Sequence, residues 1–137
     1  MSKECLLIKD LSCVRRYSNQ LPYDPTGEPK WVIRKGQPWP VNIADGTYPY
    51  VVLQDGELRV GAIPRPRGKI HHPELVRGED VIAAGMICVN DRRVLRVSNE
   101  SGHYRPNIEC INYALIALRF WQIPLARRLI VDPVWES

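Results

Sequence analysis

The chain has 137 residues, of which 45% are hydrophobic and 25% charged, and its 19 lysines and arginines against 15 aspartates and glutamates give a formal net charge of +4. This length suits one folded domain and is too short for two comfortable ones, so we expect residues 1–137 to form a single domain. The charge surplus is mild and no basic run is interleaved with aromatic residues, so nucleic-acid binding is not indicated.

The cysteines and the apolar runs exclude two further classes. The four cysteines show no Cys-x-x-Cys spacing and the three histidines have no matching cysteine pair, so we expect reduced thiols and no metal site. No apolar run approaches the ~20 residues that span a bilayer, and the N-terminus lacks a signal-peptide core. We therefore expect no membrane partner and a cytoplasmic protein, with secretion by a signal-independent route as the alternative.

Residues 1–40 lack a clear period and read as an N-terminal segment or arm, whereas residues 48–132 read as the core. Residues 21–29 contain three prolines and cannot form regular structure. Residues 31–33 could begin a strand. Trp39, which stands between two prolines, is predicted to anchor irregular chain on the core.

A hairpin is predicted from residues 50–54 and 57–60. Both runs are rich in strand-forming residues, and Asp55-Gly56 between them suits a two-residue type I′ turn. Leu58 and Val60 alternate with Glu57 and Arg59, so we expect the first pair to be buried and the second to be exposed.

Residues 81–89 are predicted to form the most buried, central strand, because they are apolar at successive positions on both faces. Ile82 and Ile87 should be buried. The small residues 83–85 leave room for a helix or a ligand to lie against the strand. A turn at 90–91 leads to a return strand at 94–97, with Arg93 and Arg96 exposed.

One helix is predicted over residues 108–120, with Asn107 as its N-cap. Its core-facing stripe consists of Ile108, Ile111, Leu115 and Leu118. Residues 127–131 are predicted to form a last strand. The predicted fold class is therefore α+β: a small, mostly antiparallel sheet of five to seven strands with one main C-terminal helix packed on it.

The candidate site is residues 98–106, Ser-Asn-Glu-Ser-Gly-His-Tyr-Arg-Pro, between the return strand and the helix. It concentrates hydroxyl, amide, imidazole and guanidinium groups in nine positions. His103 is the leading candidate, because Ser101 and Tyr104 beside it supply donors. His72 should reach the same pocket, because the intervening hairpin returns the chain to one end of the sheet.

The segment 101–106, Ser-Gly-His-Tyr-Arg-Pro, resembles the Ser-Gly-His-Tyr-x-Pro signature of two groups of proteins. One is the C-terminal modules of bacterial polymorphic toxins and effectors, and the other is the plant calmodulin-binding proteins with IQ motifs. The similarity extends upstream to His72, and covers about the middle third of the chain. Met86 stands where these relatives often carry a glutamate.

The toxin resemblance implies a transferase that uses a nucleotide cosubstrate, and ADP-ribosyl transfer from NAD is the reaction it names. Catalytic roles then fall to His103, Tyr104, His72 and Ser101. Cofactor binding falls to Arg105, Asn99 and Asn107, since a helix N-terminus beside an arginine attracts phosphate. The implied partners are a nucleotide and a protein target or immunity protein.

Two alternatives are open. The resemblance to the plant proteins implies a non-catalytic protein-interaction domain, in which the His/Tyr cluster is a structural corner. A weaker alternative is a basic nucleic-acid-binding module. No Gly-x-Ser-x-Gly elbow, Gly-x-Gly-x-x-Gly loop or Walker-type loop occurs in the sequence, which argues against common hydrolase and nucleotide-binding folds.

Overall fold

In the part of the chain that the structure describes, the fold is a six-stranded sheet with one helix packed against it. The computed structural model describes residues 16–18, 31–33, 39–61, 79–101, 104 and 106–133. The strands are β1 (Trp31–Ile33), β2 (Gly46–Leu53), β3 (Leu58–Gly61), β4 (Val81–Asn90), β5 (Arg93–Ser98) and β6 (Leu125–Asp132), and the helix is α1 (Cys110–Phe120). This architecture confirms the predicted α+β class.

β4 is the strand around which the sheet is built. The order across the sheet is β1-β3-β2-β4-β5-β6, and all neighbours are antiparallel except β5 and β6. Ile82 and Ile87 are 1% and 0% exposed. Residues 81–85 are buried at every position, so both faces are buried in this half of β4, while Met86 and Cys88 are half-buried. The central position of this strand and the burial of both isoleucines are confirmed.

The β2–β3 hairpin has the two predicted strands but a different turn. Among the described residues positive φ in this hairpin is confined to Gly56, at 90°, whereas a type I′ turn at 55–56 requires two successive positive values. The predicted type I′ turn is therefore wrong. Residues 54–57 connect the two strands, and hydrogen bonds from Gly56 N to Leu53 O (2.9 Å) and from Leu53 N to Glu57 O (2.8 Å) close the turn.

The predicted exposure of Glu57 in this hairpin is also wrong. Leu58 and Val60 are buried as predicted, but Glu57 is only 7% exposed and Arg59 is half-buried. The Glu57 carboxylate forms an ion pair with the Arg59 guanidinium, and the Glu57 N–H donates to Asp55 Oδ1 at 2.9 Å. A charge that is paired and hydrogen-bonded tolerates burial where a lone charge does not.

The β4–β5 hairpin contains the two-residue turn that was expected in the other hairpin. Asp91 and Arg92 both have left-handed backbone, with φ values of 51° and 66°. Two consecutive positive φ values are what a type I′ turn requires. Asp91 N donates to Asp45 Oδ1 at 2.9 Å, which ties this turn to the residue before β2.

Each hairpin turn also accepts a hydrogen bond from a tryptophan indole. Trp39 Nε1 donates to Arg92 O at 2.8 Å, and Trp121 Nε1 donates to Gly56 O at 3.0 Å. Trp39 is 8% exposed. Its predicted role as an anchor is confirmed, and the site that it anchors is the β4–β5 turn.

α1 begins at Cys110, two residues later than predicted. Its N-cap residue is Glu109, which makes no side-chain capping bond. Asn107, the predicted N-cap, instead closes the turn before the helix: Asn107 Oδ1 accepts from Glu109 N and Asn107 O accepts from Cys110 N, both at 3.1 Å. The Asn107 side chain therefore accepts a backbone hydrogen bond, as an N-cap residue does, but one turn before the helix begins.

The buried face of α1 carries smaller side chains than the predicted stripe. The helix buries Cys110, Ile111, Ala114, Ala117 and Leu118. Ile111 and Leu118 confirm the stripe, but Ile108 is 44% exposed and Leu115 is only partly buried. Small residues on the buried face let the helix backbone lie close to the sheet. The predicted stripe of large aliphatic residues did not indicate this close approach. No helix in the described part of the chain is long and apolar enough to cross a membrane.

β6 confirms the predicted last strand and extends it to residues 125–132. It is parallel to β5, because the chain crosses over through α1 between the two strands. The pairing is irregular: Val94 is opposite Leu125 while Arg96 is opposite Ile130. Residues 126–129 therefore form a bulge at one end of the regular pairing.

Tyr17 continues the pairing of β4 where β5 ends. Its backbone bridges Val81, with N to O distances of 2.7 and 3.0 Å. β5 pairs with residues 87–90 only, and Val81 already pairs with β2 on the other edge. Tyr17 thus occupies the same edge of β4 as β5. The predicted loop at 21–29 and most of segment 1–40 lie outside the described residues, so the division into arm and core stays a prediction.

Candidate functional site: a buried polar corner

The segment 98–107, called the corner segment below, leaves β5 and leads to α1. Three of its polar side chains are withdrawn from solvent: Asn99 and Tyr104 are 0% exposed and Ser101 is 1% exposed. Buried polar groups are stable only when they are hydrogen-bonded. The partners of these three residues therefore decide what the segment can do.

Ser98 begins the corner segment with an unusually close backbone contact. A Cβ built on Gly85 of β4 would lie 1.8 Å from Ser98 O and 2.9 Å from a ring carbon of Tyr50. The Tyr50 hydroxyl donates to the same Ser98 carbonyl at 2.7 Å, and Ser98 Oγ accepts from Met86 N at 3.1 Å. The space expected beside the small residues of β4 is thus occupied at Gly85 by the chain itself.

Tyr104 joins the exit of β5 to the entry of β4. Its hydroxyl donates to Glu79 O at 2.6 Å, two residues before β4 begins. Its backbone N–H donates to Ser101 Oγ at 3.3 Å, and Asn99 Nδ2 donates to Pro106 O at 2.9 Å. These bonds run from side chains to backbone groups of the same domain, which is how a polar corner is held rigid.

Asn107 ends the corner segment and contacts the N-terminal part of the chain. Its Oδ1 accepts from the Tyr17 hydroxyl at 2.7 Å as well as from Glu109 N. The next backbone N–H groups, of Ile111 and Asn112, donate to Ile108 O and Glu109 O, both at 3.1 Å. The donors that a phosphate would use at this helix start are already bonded within the chain.

A thiol and a phenol are buried beside the corner segment, where α1 begins. Burial raises the pKa of Cys110 to about 12, and a backbone hydrogen bond at Ala84 opposes the shift. Burial likewise raises the pKa of Tyr50 well above 10, and the nearby Cys110 adds to the shift. Both groups are neutral at physiological pH, so neither offers a nucleophilic anion there.

The predicted site residues fall into two sets. The structure describes Ser101, Tyr104, Asn99 and Asn107, and they all lie in the corner segment. His72, His103 and Arg105 lie outside the described residues, so their roles and the shared pocket of His72 and His103 stay predictions. The hydrogen bond from Tyr104 to Glu79 O does bring the entry and exit of the β4–β5 hairpin together, as the argument for that pocket requires.

Sequence reasoning missed Tyr17 and Tyr50 as members of this region. Tyr17 lies 90 positions before its partner Asn107, and Tyr50 lies 48 positions before Ser98. Their targets are an amide oxygen and a backbone carbonyl, neither of which carries a sequence signature. The described residues contain no group of three or more potential metal ligands.

A family model for the IQ motif-containing protein middle domain matches residues 25–111, which are 87 of the 137 residues. The match includes the corner segment and ends just inside α1. It confirms the resemblance to the proteins with IQ motifs. No curated protein matches the chain significantly. No solved structure does so either.

This match corrects the main functional hypothesis. The expectation of a toxin or effector with ADP-ribosyltransferase-like activity is wrong, because the family found is that of the IQ motif-containing proteins and no toxin module was matched. The nucleotide expected as cosubstrate has no support from the match. The predicted protein partner is compatible with it.

Proposed function

Because the chain belongs to the family of the IQ motif-containing protein middle domain, we propose that it is a non-catalytic protein-interaction domain. In this proposal the corner segment is structural. The observation that carries it is the Tyr104 side chain, which is fully buried and donates its hydroxyl proton to Glu79 O at 2.6 Å. A phenol that acts on a substrate has to be reachable by that substrate, whereas a phenol that fixes two chain segments is best buried.

The neighbours of Tyr104 support the same role. Ser101 Oγ accepts from Tyr104 N, and Asn99 spans the segment to Pro106 O. The buried Cys110 thiol remains protonated near neutrality, since its pKa is about 12. The polar groups described here thus hold backbone in place and keep the start of α1 beside β4.

Calmodulin is the partner that the resemblance to the plant proteins implies for the family. None of the four glutamines of this sequence follows an isoleucine. We propose a protein partner for the domain, and calmodulin is the first candidate to test.

The test of the structural corner is Tyr104→Phe, with Tyr113→Phe as the matched control. Tyr113 lies on α1, is partly buried, and makes no hydroxyl hydrogen bond within the described residues. Loss of the bond to Glu79 O should lower the free energy of unfolding by about 1–2 kcal/mol, and the control should change it by less than about 0.5 kcal/mol. Denaturant titration followed by circular dichroism measures both.

Equal stability of Tyr104→Phe and the parent would contradict the structural role. In parallel, isothermal titration of the chain with calmodulin, with and without Ca²⁺, tests this partner. Saturable binding would identify calmodulin as a partner, and no heat of binding would point to another protein. Either result leaves the structural corner intact.

A further inference from the structure

β6 lies at one edge of the sheet that the described residues form. No strand lies on that side of β6 in the part of the chain that the structure describes, and an edge strand presents backbone N–H and C=O groups outward. Ile130 and Val131 are each 43% exposed. Since they are consecutive, their side chains lie on opposite faces of the strand. The edge therefore offers main-chain hydrogen bonds with an apolar side chain on each face.

Arginines are exposed on β6 and on its neighbour β5. Arg93 and Arg96 of β5 and Arg127 and Arg128 of β6 are all exposed. The acidic residue of these two strands is Asp132, which pairs with Arg96 at 3.7 Å. Four arginines and one aspartate give the two strands a charge of +3. A second copy of the chain would bring the same positive charge against it, so self-pairing along this edge is disfavoured.

The two β6 arginines stand at one end of the regular strand. They belong to the bulge 126–129, while Ile130 begins the regular pairing with β5. Bulges and charges are common devices that protect an edge from aggregation. Protection alone does not account for two exposed apolar residues directly after the bulge. Strand addition uses an exposed sheet edge for main-chain hydrogen bonds and neighbouring side chains for specificity, and Ile130, Val131 and the two arginines could supply those side-chain contacts.

We propose that β6 binds an extended acidic segment of a partner protein, which adds to the sheet as a strand beside residues 130–132. Carboxylates of that segment pair with Arg127 and Arg128, and its apolar side chains cover Ile130 and Val131 on the two faces. This inference rests on the proposed interaction function and specifies the surface and the partner. β6 lies after residue 111, so the family match assigns nothing to it.

The test uses the full chain and a labelled peptide, acetyl-Glu-Asp-Val-Ile-Val-Asp-Glu-amide, with fluorescence anisotropy as the readout. Acidic residues at both ends let the peptide bind in either strand direction. We expect saturable binding that weakens with salt. The double variant Arg127→Glu and Arg128→Glu should bind at least about tenfold more weakly. The control Arg16→Glu, an exposed arginine next to Tyr17 at the far end of β4, should stay within about twofold.

Backbone methylation of the peptide separates strand addition from simple charge attraction. A strand presents alternate N–H groups on its two edges, and this peptide, which reads the same in both directions, can pair through either edge. Methylating both sets should therefore abolish binding. Retention of binding by the peptide methylated at both sets would overturn the proposal. So would a dimer of the unliganded chain, in sedimentation, that the double variant abolishes.

The two proposals fail separately. If no peptide binds while Tyr104→Phe destabilises the domain as expected, the β6 site is wrong and the structural corner stands. If the peptide binds as described while Tyr104→Phe has no effect on stability, the corner is wrong and the edge site stands.

Discussion

Gly85 is the residue beside the corner segment at which a larger side chain is hardest to accommodate. Its φ is not in the left-handed region that favours glycine, so the requirement is one of space alone. The Ser98 carbonyl fills the volume that any Cβ would take. The same carbonyl accepts the Tyr50 hydroxyl proton, so β2, β4 and the corner segment meet at one oxygen.

Gly85→Ala should therefore lower the free energy of unfolding by about 3 kcal/mol or more, because backbone has to move. The matched control is Gly61→Ala in β3, where the Cβ would lie 2.8 Å from Pro49 Cγ, a side-chain atom. We expect the control to cost about 1 kcal/mol. Chemical denaturation of the two variants compares them, and similar losses would show that the Ser98 contact yields easily.

At the scale of elements, β4 is the one whose integrity the sheet depends on. It pairs with β2 over residues 81–89 and shares its other edge between β5 and Tyr17. Ile87 lies in the part that is paired on both sides and is completely buried.

Ile87→Ala should cost about 2–5 kcal/mol, since it removes a fully buried side chain and leaves a cavity. The matched control, Leu95→Ala in β5, removes a side chain that is 37% exposed and should cost less than about 1 kcal/mol. Thermal melts of both variants measure the difference. A change of only a degree or two for Ile87→Ala would mean that β4 is peripheral to the stability of the sheet.

The elements themselves were largely predictable, because each follows from a local pattern. The apolar run of β4 and the helical spacing of Ile111 and Leu118 identify elements without any knowledge of their neighbours. Pairing was harder. The parallel partner of β5 is reached through α1, and Tyr17 bridges Val81 across 64 positions, so neither contact leaves a local trace.

The polar density of residues 98–106 predicted a functional site, and that role stays a prediction. The structure shows that three polar side chains of the segment, Asn99, Ser101 and Tyr104, are buried. Whether such side chains face a ligand or the backbone of their own domain depends on burial, which comes from the tertiary packing of β2, β4 and α1. Tyr104 illustrates this limit, since its partner is the main-chain oxygen of Glu79.

For the whole molecule, the buried Cys110 thiol predicts a loss of stability at alkaline pH. Its pKa is about 12 in the folded chain and ordinarily 9.0. Well below pH 9 the thiol is neutral in both states, so its ionisation does not change stability there. Between about pH 9 and 12 the unfolded chain loses this proton first, so stability falls by up to about 1.4 kcal/mol per pH unit.

Cys110→Ala should flatten part of that alkaline decline. Tyr50 also has a raised pKa, so the slope will shrink without vanishing. Urea titrations of the parent and the variant from pH 8 to 11 measure the two slopes. Parallel slopes would mean that the thiol ionises in the folded chain as readily as in water.

The two indole hydrogen bonds have a spectroscopic consequence. Trp39 is bonded to the tip of the β4–β5 hairpin and Trp121 to the tip of the β2–β3 hairpin. Each hairpin therefore has its own intrinsic fluorophore, whose emission depends on a bond that exists only while that turn is formed. A chain that keeps these two tryptophans alone would report the fraying of each hairpin separately, as two distinguishable emission changes before global unfolding.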